Sequence, residues 1–192
     1  MAELIEPHPR FHTSFLAAMA EQEDWLTAFV DGVDSLTDRD GFERYVAALI
    51  SHRTPGPHLP EGFVTSSTLW WVEGDTYLGR VSIRHRLNER LRNLGGHIGY
   101  WMRPSARRQG HATAAFAASL HHARGLGIEC VLVTCDHDNH ASRRIIEGAG
   151  GLFERALGEK RLYWVPTVPV ADVPITSVPT SDPPVSPSSR RG

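Results

Sequence analysis

The sequence lacks an apolar run long enough to cross a membrane, and its first residues carry neither a basic head nor an apolar core. A secretory signal needs both features, so none is expected. Only two of the 192 residues are cysteines, Cys130 and Cys135, and both lie on one predicted strand. Five residues of strand span roughly 16 Å, which is beyond the reach of a disulfide. These absences predict a reduced, cytoplasmic protein.

A large excess of charge of one sign is also missing. The 20 Lys and Arg nearly balance the 22 Asp and Glu, which gives a formal net charge of −2. There is thus no electrostatic argument for nucleic acid binding. Eleven histidines are present, but His137 and His140 have no Cys or Glu partners of the kind found in a closed zinc site. We predict no metal ion, no nucleic acid and no membrane as partners.

The length and composition fit one folded domain followed by a tail. Apolar residues make up 41% of the chain and charged residues 22%, which is ordinary for a globular protein. Seven of the 13 prolines fall between Pro166 and Gly192, with Ser and Thr among them. Such a segment buries too little apolar area to offset the entropy lost on ordering it. We predict a domain over residues 1–166 and a disordered tail over residues 167–192.

Apolar periodicity and turn residues predict a mixed α/β domain of the α+β type. A short strand at Leu4 and Ile5 precedes a helix from about Arg10 and a second helix near Asp38, which Asp40 can cap. An antiparallel pair at 68–73 and 77–84 follows, then a loop at 88–96 and a strand at 97–102. The remaining predicted elements are a helix at 109–124, a strand at 130–135, a short helix after 139, and a hairpin at 152–165.

One basic turn separates the strand ending at Met102 from the alanine-rich helix: Arg107-Arg108-Gln109-Gly110-His111-Ala112. The first N–H groups of a helix have no intrahelical partners, and the helix dipole favours negative charge there. Gly110 lets the backbone approach a ligand closely because it has no Cβ. The turn therefore predicts a phosphate or pyrophosphate site, although many such junctions bind nothing. The spacings of a nucleotide P-loop and of a dinucleotide fingerprint are both absent.

The turn fits the pattern Arg/Gln-x-x-Gly-x-Gly/Ala, which resembles the coenzyme A pyrophosphate loop of the GNAT acyltransferase superfamily. A second stretch, Asp138-Asn139-His140-Ala141-Ser142, follows an apolar run and resembles that superfamily's next motif. The order of elements matches over roughly residues 3 to 166. Residues 82–89 and 95–100 resemble one bacterial subgroup of predicted acetyltransferases. The resemblance implies a GNAT-like, largely antiparallel central sheet flanked by helices.

The same resemblance implies acetyl-CoA as co-substrate. Backbone N–H groups from Arg108 to Thr113 would hold the pyrophosphate, and the backbone at 100–102 would pair with the pantetheine arm like an added strand. Asn139 would hydrogen-bond the pantetheine. The implied cofactor-binding residues are Tyr100, Trp101, Met102, Arg107, Arg108, Gln109, Gly110, His111, Ala112, Thr113, Asn139 and Ser142.

The catalytic acid and base stay open. His97 stands where many family members carry a strand glutamate, and an imidazole titrates near the operating pH, so His97 is the predicted general base. The alternative is that His97 only hydrogen-bonds backbone; His85 is a second candidate base. The family's usual acid is a tyrosine seven residues after the motif asparagine, and here that position is Ile146. Three other groups could protonate the leaving thiolate: Cys135, Ser142 and Tyr100.

These features predict an N-acetyltransferase that transfers acetyl to a primary amine of a small molecule by direct attack. A protein N-terminus or lysine as acceptor, and a non-catalytic acyl-CoA sensor, are the alternatives. The basic residues Arg84, His85, Arg86 and Arg92 indicate either an acidic acceptor or a solvated strand end. Of these, His85 and Arg86 are the predicted substrate-binding residues. A homodimer also stays open.

Overall fold

The computed structural model describes residues 1–22, 36–59 and 61–168. Nearly all of the predicted tail lies outside these ranges. Thr167 still packs on the domain, one residue beyond the predicted boundary at 166. It is 6% exposed, and its N–H donates to the carbonyl oxygen of Glu129 at 2.9 Å.

Four strands form a first, fully antiparallel sheet in the order β1-β2-β3-β4. The strands are β1 (Glu3–Ile5), β2 (Ser66–Glu73), β3 (Thr76–Arg84) and β4 (Ile98–Met102). The predicted hairpin around Gly74 and Asp75 is confirmed, with Glu73 opposite Thr76 in the register of β2 and β3.

Three strands form a second antiparallel sheet in the order β5-β7-β6. They are β5 (Cys130–Asp136), β6 (Leu152–Leu157) and β7 (Lys160–Pro166). The closing hairpin predicted around Gly158 is the pair β6 and β7. The chain returns to place β7 between β5 and β6, so β5 becomes an edge strand that faces β4 of the first sheet.

Five α-helices complete the described domain: α1 (His12–Ala20), α2 (Arg39–Ser51), α3 (Glu89–Leu94), α4 (His111–Gly125) and α5 (His140–Gly148). Asp38, and not Asp40, caps α2, because its carboxylate accepts hydrogen bonds from the N–H groups of Asp40 and Gly41. The segment 88–96, predicted as loop, contains α3. Its N-cap is Asn88, whose side chain accepts from the N–H of Leu91.

Alternate side chains of a strand point to opposite faces, so the first sheet builds two cores. Trp70 on one face packs with Phe11 and Phe15 near α1 and with Phe42 of α2. Trp71 and Val81 belong to the other core, which holds Phe116 of α4 and Ile146 of α5. The predicted α+β domain with a largely antiparallel sheet and flanking helices is confirmed. No helix in the described ranges is long and apolar enough to cross a membrane.

Candidate active site

The two sheets meet where β4 approaches β5. The N–H of His97 donates to the carbonyl oxygen of Leu132 at 2.6 Å, and the N–H of Leu132 donates to Nδ1 of His97 at 2.9 Å. Beyond this double link the strands separate, and residues 98–100 and 134–136 line a cleft of about 240 Å³ between them. We call it the β4/β5 cleft. Its walls are two strand edges, so it can bind a ligand that forms hydrogen bonds with the strand backbone.

His97 is 8% exposed, and its ring is part of the link. Because Nδ1 accepts from Leu132, the hydrogen of the neutral imidazole resides on Nε2. Burial lowers the pKa of His97 to about 4, and the neighbouring charges of Arg92 and Arg84 act in the same direction. Of the two sequence-based hypotheses, the geometry supports the hydrogen bond to backbone. It leaves the ring no free lone pair for a general base.

A glycine makes this link sterically feasible. Gly96 has φ of +63°, a left-handed conformation that side chains disfavour. A Cβ on Gly96 would lie 2.3 Å from the carbonyl oxygen of Leu132. The Gly95-Gly96-His97 sequence therefore brings β4 against β5 at one point, and the opening beside it follows from that contact.

The phosphate-binding turn predicted from the sequence lies at the start of α4. Gly110 is the N-cap with φ of +84°, and Arg108 also has a positive φ, of 64°. The first helical turn comprises His111, Ala112 and Thr113. Gly110 has no side chain to accept hydrogen bonds from that turn. A Cβ there would meet no atom of the described chain within 4 Å, so the space beside Gly110 is open.

Three side chains around this turn form hydrogen bonds within the protein, and one is exposed to solvent. Arg107 donates from Nε to the carbonyl oxygen of Met102 at 3.0 Å, and Gln109 donates to the carbonyl oxygen of Ser105 at 2.9 Å. His111 accepts at Nδ1 from the indole N–H of Trp71 at 3.2 Å. These three side chains therefore shape the turn. Arg108 is exposed in front of it.

Glu21, a carboxylate that the sequence analysis missed, binds the segment that connects β4 to this turn. Glu21 accepts hydrogen bonds from Arg103, from the N–H of Ser105 at 2.8 Å and from the Ser105 hydroxyl at 2.9 Å. The hydrogen bond from Arg103 lowers the pKa of Glu21 to about 2, against the opposing effect of burial. Glu21 and Arg103 are 82 residues apart in sequence, so no local pattern could indicate the pair.

The second predicted motif lines the other wall of the cleft. Oδ1 of Asn139 accepts from the N–H of Ser142 at 3.0 Å and caps α5, which leaves Nδ2 as the donor for a ligand. Tyr100 and Ser142 line the same cleft. The Tyr100 hydroxyl is buried and forms no hydrogen bond of ordinary distance and angle within the described part of the chain, but Ser142 lies close enough to interact with it. Burial raises the pKa of Tyr100, and its interaction with Ser142 opposes that rise.

Other predicted residues lie elsewhere. Ile146, at the position of the family's usual acid, is fully buried in the core on the α4 side. His85 is the first residue after β3; its Nε2 is 2.9 Å from the Ser67 hydroxyl, and it is not among the residues that line the cleft. Arg86 is exposed. Arg84 does line the cleft. The sequence indicated it only as one of four basic residues, together with His85, Arg86 and Arg92.

One ion pair at the cleft was not anticipated. Lys160, the first residue of β7, donates to Asp136, the last residue of β5, at 2.5 Å. Both line the cleft and cancel each other's charge there. Among residues 1–22, 36–59 and 61–168, no group of three or more His, Cys, Asp or Glu side chains could hold a metal ion.

Solved structures share this fold. The RimL ribosomal L7/L12 α-N-protein acetyltransferase in complex with coenzyme A is 18% identical, with a TM-score of 0.60 over 86% of this chain and 93% of that one. Mycobacterium smegmatis RimJ in complex with a CoA-disulfide is 18% identical, with a TM-score of 0.62 over 90% and 84%. The microcin C7 self-immunity acetyltransferase MccE, in complex with acetyl-CoA and AMP, is 16% identical, with a TM-score of 0.57 over 86% and 92%.

No curated protein sequence matches the chain. The model of the acetyltransferase (GNAT) domain family matches residues 6–151, which is most of the described domain and includes both predicted cofactor motifs and all the residues that line the β4/β5 cleft except Lys160. The resemblance inferred from those motifs is confirmed: the chain belongs to the GNAT acetyltransferase family.

Proposed function

We propose that this protein is an acetyl-CoA-dependent N-acetyltransferase that transfers an acetyl group to a primary amine of a small molecule. One observation carries the proposal. One wall of the β4/β5 cleft is β4, and the chain leads from the end of β4 at Met102 to the start of α4, where the glycine cap offers no side chain to the first N–H groups. A long donor with a pyrophosphate in its middle and an amide-containing arm at one end fits that pair of features.

The residues present suit such a donor. The N–H groups of His111, Ala112 and Thr113 would hold the pyrophosphate, and Arg108 would add positive charge beside it. The edge of β4 that faces away from β3, at 100–102, would pair with the amides of the pantetheine arm, and Nδ2 of Asn139 would donate to one of their carbonyl groups. The similarity to structures solved with coenzyme A or acetyl-CoA supports this placement.

The chemistry assigned to the chain is direct transfer. A backbone N–H of β4, at Trp101 or Met102, would donate to the thioester oxygen, where negative charge develops. The amine nitrogen would bond to the acetyl carbon as the C–S bond breaks, and the nitrogen would lose its extra proton to solvent. The Tyr100 hydroxyl would give its proton to the departing thiolate, in place of the hydroxyl that Ile146 cannot supply.

A second acceptor class has its own support. RimL, one of the structurally similar proteins, is a ribosomal protein acetyltransferase, so a protein N-terminus is the second candidate. MccE, solved with AMP, supports a small acceptor equally. Acceptors of both classes therefore belong in the same assay.

Thiol release tests the proposal. The full chain is mixed with acetyl-CoA and a panel of small amines and N-terminal peptides, and free coenzyme A is measured. Amine-dependent release by the wild type, and its loss in Gly110→Val, is the expected result. Acetyl-CoA binding without release from any amine or peptide would identify a non-catalytic sensor and overturn the proposal.

A further inference from the structure

Arg84 projects from the end of β3 into the β4/β5 cleft. Its Nη1 donates to the carbonyl oxygens of Gly95 and Gly96, at 3.2 and 3.3 Å, and this holds the guanidinium in place. Gly99 of β4 lies below it. A Cβ on Gly99 would be 3.6 and 3.7 Å from the two Nη atoms, so a side chain at that position would cover the guanidinium. The glycine leaves the guanidinium open to the cleft.

The charge of Arg84 has no local counterion. Within the described ranges no carboxylate forms an ion pair with it; the side-chain ion pairs found there involve other cations, namely Arg39, Arg53, Arg103, Arg143, Arg155 and Lys160. The carboxylate in the cleft, Asp136, forms an ion pair with Lys160. Burial lowers the pKa of Arg84, and the charges of Arg80 and Arg90 add to the effect. A largely buried cation of this kind gains from an anion, because its remaining N–H groups lack ionic partners.

The cleft places this cation beside the proposed reaction centre. Arg84 lines the same small cavity as Tyr100, Cys135 and Asn139. A ligand in the cavity would therefore contact Arg84 and the end of the pantetheine arm together. The guanidinium presents planar, parallel donors, a geometry that matches a carboxylate in two hydrogen bonds.

We propose that Arg84 binds a carboxylate on the acceptor, so that the substrate is a small amino acid or a related amine that carries a carboxylate close to the amine. This inference rests on the proposed function for its reaction but makes a separate claim about recognition. Arg84 is then a specificity residue, and Gly99 is the residue that gives the carboxylate access to it.

Matched acceptors test the claim. L-amino acids and their amides differ in the carboxylate and, through it, in the pKa of the amine, so each pair is assayed by thiol release with acetyl-CoA at equal concentrations of the unprotonated amine. The accepted acids are expected to show kcat/KM about 10- to 100-fold above their amides, the range for hydrogen bonds to a charged group. Arg84→Gln should raise KM for the acids by that factor and leave the amides unchanged. Arg84→Lys, which keeps the charge but loses the planar pair of donors, should fall between them.

The control is Arg124→Gln on the exposed surface of α4, which should keep the full acid preference. Unfolding temperatures and acetyl-CoA affinity verify that each variant is folded and loaded. Equal rates for acids and amides, a preference for amine phosphates, or an acid preference that survives in folded Arg84→Gln would overturn the inference while leaving the acetyltransferase proposal intact.

Binding provides a readout that does not require turnover. Calorimetry on the wild type with coenzyme A measures the affinity of the same acids and amides. Tighter binding of the acids that disappears in Arg84→Gln supports carboxylate recognition even if no amine is acetylated. Equal binding of the two series contradicts it. Failure of the proposed function and failure of this inference are thus separately visible.

Discussion

Nδ1 of His97 and the backbone N–H of Leu132 lie 2.9 Å apart, and this hydrogen bond joins the two sheets on one side of the candidate active site. The neighbouring bond, from the His97 N–H to the Leu132 carbonyl oxygen, is backbone to backbone. The imidazole therefore does what a strand partner's carbonyl would do at that position. Its removal would leave a buried donor without an acceptor.

Two substitutions separate this structural role from a catalytic one. In His97→Asn, the side-chain oxygen can occupy the place of Nδ1 and accept from Leu132, so stability and turnover should both stay near wild type. In His97→Leu, the buried N–H is unsatisfied, and we expect a loss of about 2 kcal/mol in the free energy of unfolding. Urea unfolding and thiol release measure the two effects. A loss of turnover of about 100-fold in a stable His97→Asn would instead support the general base.

The pH dependence of stability offers an independent check on His97. Its pKa of about 4 in the folded protein lies below its ordinary value of 6.5. Between pH 6.5 and pH 4 the imidazole is therefore protonated in the unfolded chain but not in the folded protein. The contribution of His97 to the free energy of unfolding is complete above pH 6.5 and declines as the pH falls toward 4. Unfolding free energies of the wild type and of His97→Asn should be close at pH 7 and should separate as the pH falls from 6.5 toward 4, because only the wild type loses stability through this group. A constant difference between pH 7 and pH 4 would contradict the assignment.

Gly96 should tolerate substitution far less than a glycine of similar conformation in open space. Gly96→Ala combines the strain of a left-handed φ, about 1–2 kcal/mol, with a Cβ 2.3 Å from the Leu132 carbonyl oxygen. Gly127→Ala is the matched control, because φ there is +80° and no atom lies within 4 Å of the added Cβ. We expect a loss of about 3 kcal/mol or more for Gly96→Ala and only the strain for Gly127→Ala. Equal losses in urea unfolding would show that the close approach is unimportant.

Much of the fold was predictable because its signals are local. The hairpin at Gly74-Asp75, a helix beginning close to Gly110 and a short helix after Asn139 were all indicated by a few adjacent residues; that Gly110 caps α4 and Asn139 caps α5 came from the structure. Helix α3 was missed because its six residues are too few to show an apolar period, and its cap at Asn88 was the available signal. Asp38 and Asp40 are both plausible caps for α2, and only the backbone of the first turn distinguishes them.

The site was less predictable where it depends on distant contacts. His97 and Leu132 are 35 residues apart, and the sequence cannot show that two edge strands touch at that point. His85 and Arg84 are neighbours in sequence but only Arg84 lines the cleft, so a basic cluster in the sequence became one cleft residue and one residue beside Ser67. Strand alternation indicates that they separate, but not which of the two faces the cleft.

Glu21 should stabilise the protein most near neutral pH and lose its effect in acid. Its pKa of about 2 lies below the ordinary 4.5, so its contribution is complete above pH 4.5 and is lost as the pH falls toward 2. Glu21→Gln should therefore be less stable than wild type at pH 7, with a difference that narrows below pH 4.5. Thermal unfolding across that range measures it. Glu43→Gln, at an exposed helix pair, is the control and should show a much smaller difference.

Gly110→Val should abolish acetyl-CoA binding without unfolding the protein. The Cβ of the added side chain meets no protein atom within 4 Å, so the substitution should not clash with the fold. Its bulk would instead extend into the open space that we propose for the pyrophosphate. The strain of a positive φ costs about 1–2 kcal/mol, which a folded domain can tolerate. Gly74→Val, in the β2–β3 turn with φ of +56° and equally open space, carries the same strain away from the site. Calorimetry should show loss of binding in Gly110→Val alone. Loss in both variants, or in neither, would remove the turn from the cofactor site.

The Tyr100 hydroxyl should protonate the leaving thiolate. It is buried, interacts with Ser142 without forming a hydrogen bond of ordinary geometry among the described residues, and belongs to a residue that lines the cleft, while Ile146 offers no hydroxyl. Tyr100→Phe should lower kcat by about 10- to 100-fold, at or below the lower end of the range for acid–base catalysis, because a thiolate leaves readily. Tyr163→Phe is the control, since that hydroxyl bonds to Glu147 and Arg161 outside the cleft. Acetyl-CoA affinity should be unchanged in both variants.

The wild-type kcat should also decline at high pH, because an acid must stay protonated and burial raises the pKa of Tyr100 above its ordinary 10. If Tyr100→Phe keeps the wild-type kcat and the same alkaline limb, the thiolate leaves without help from this hydroxyl.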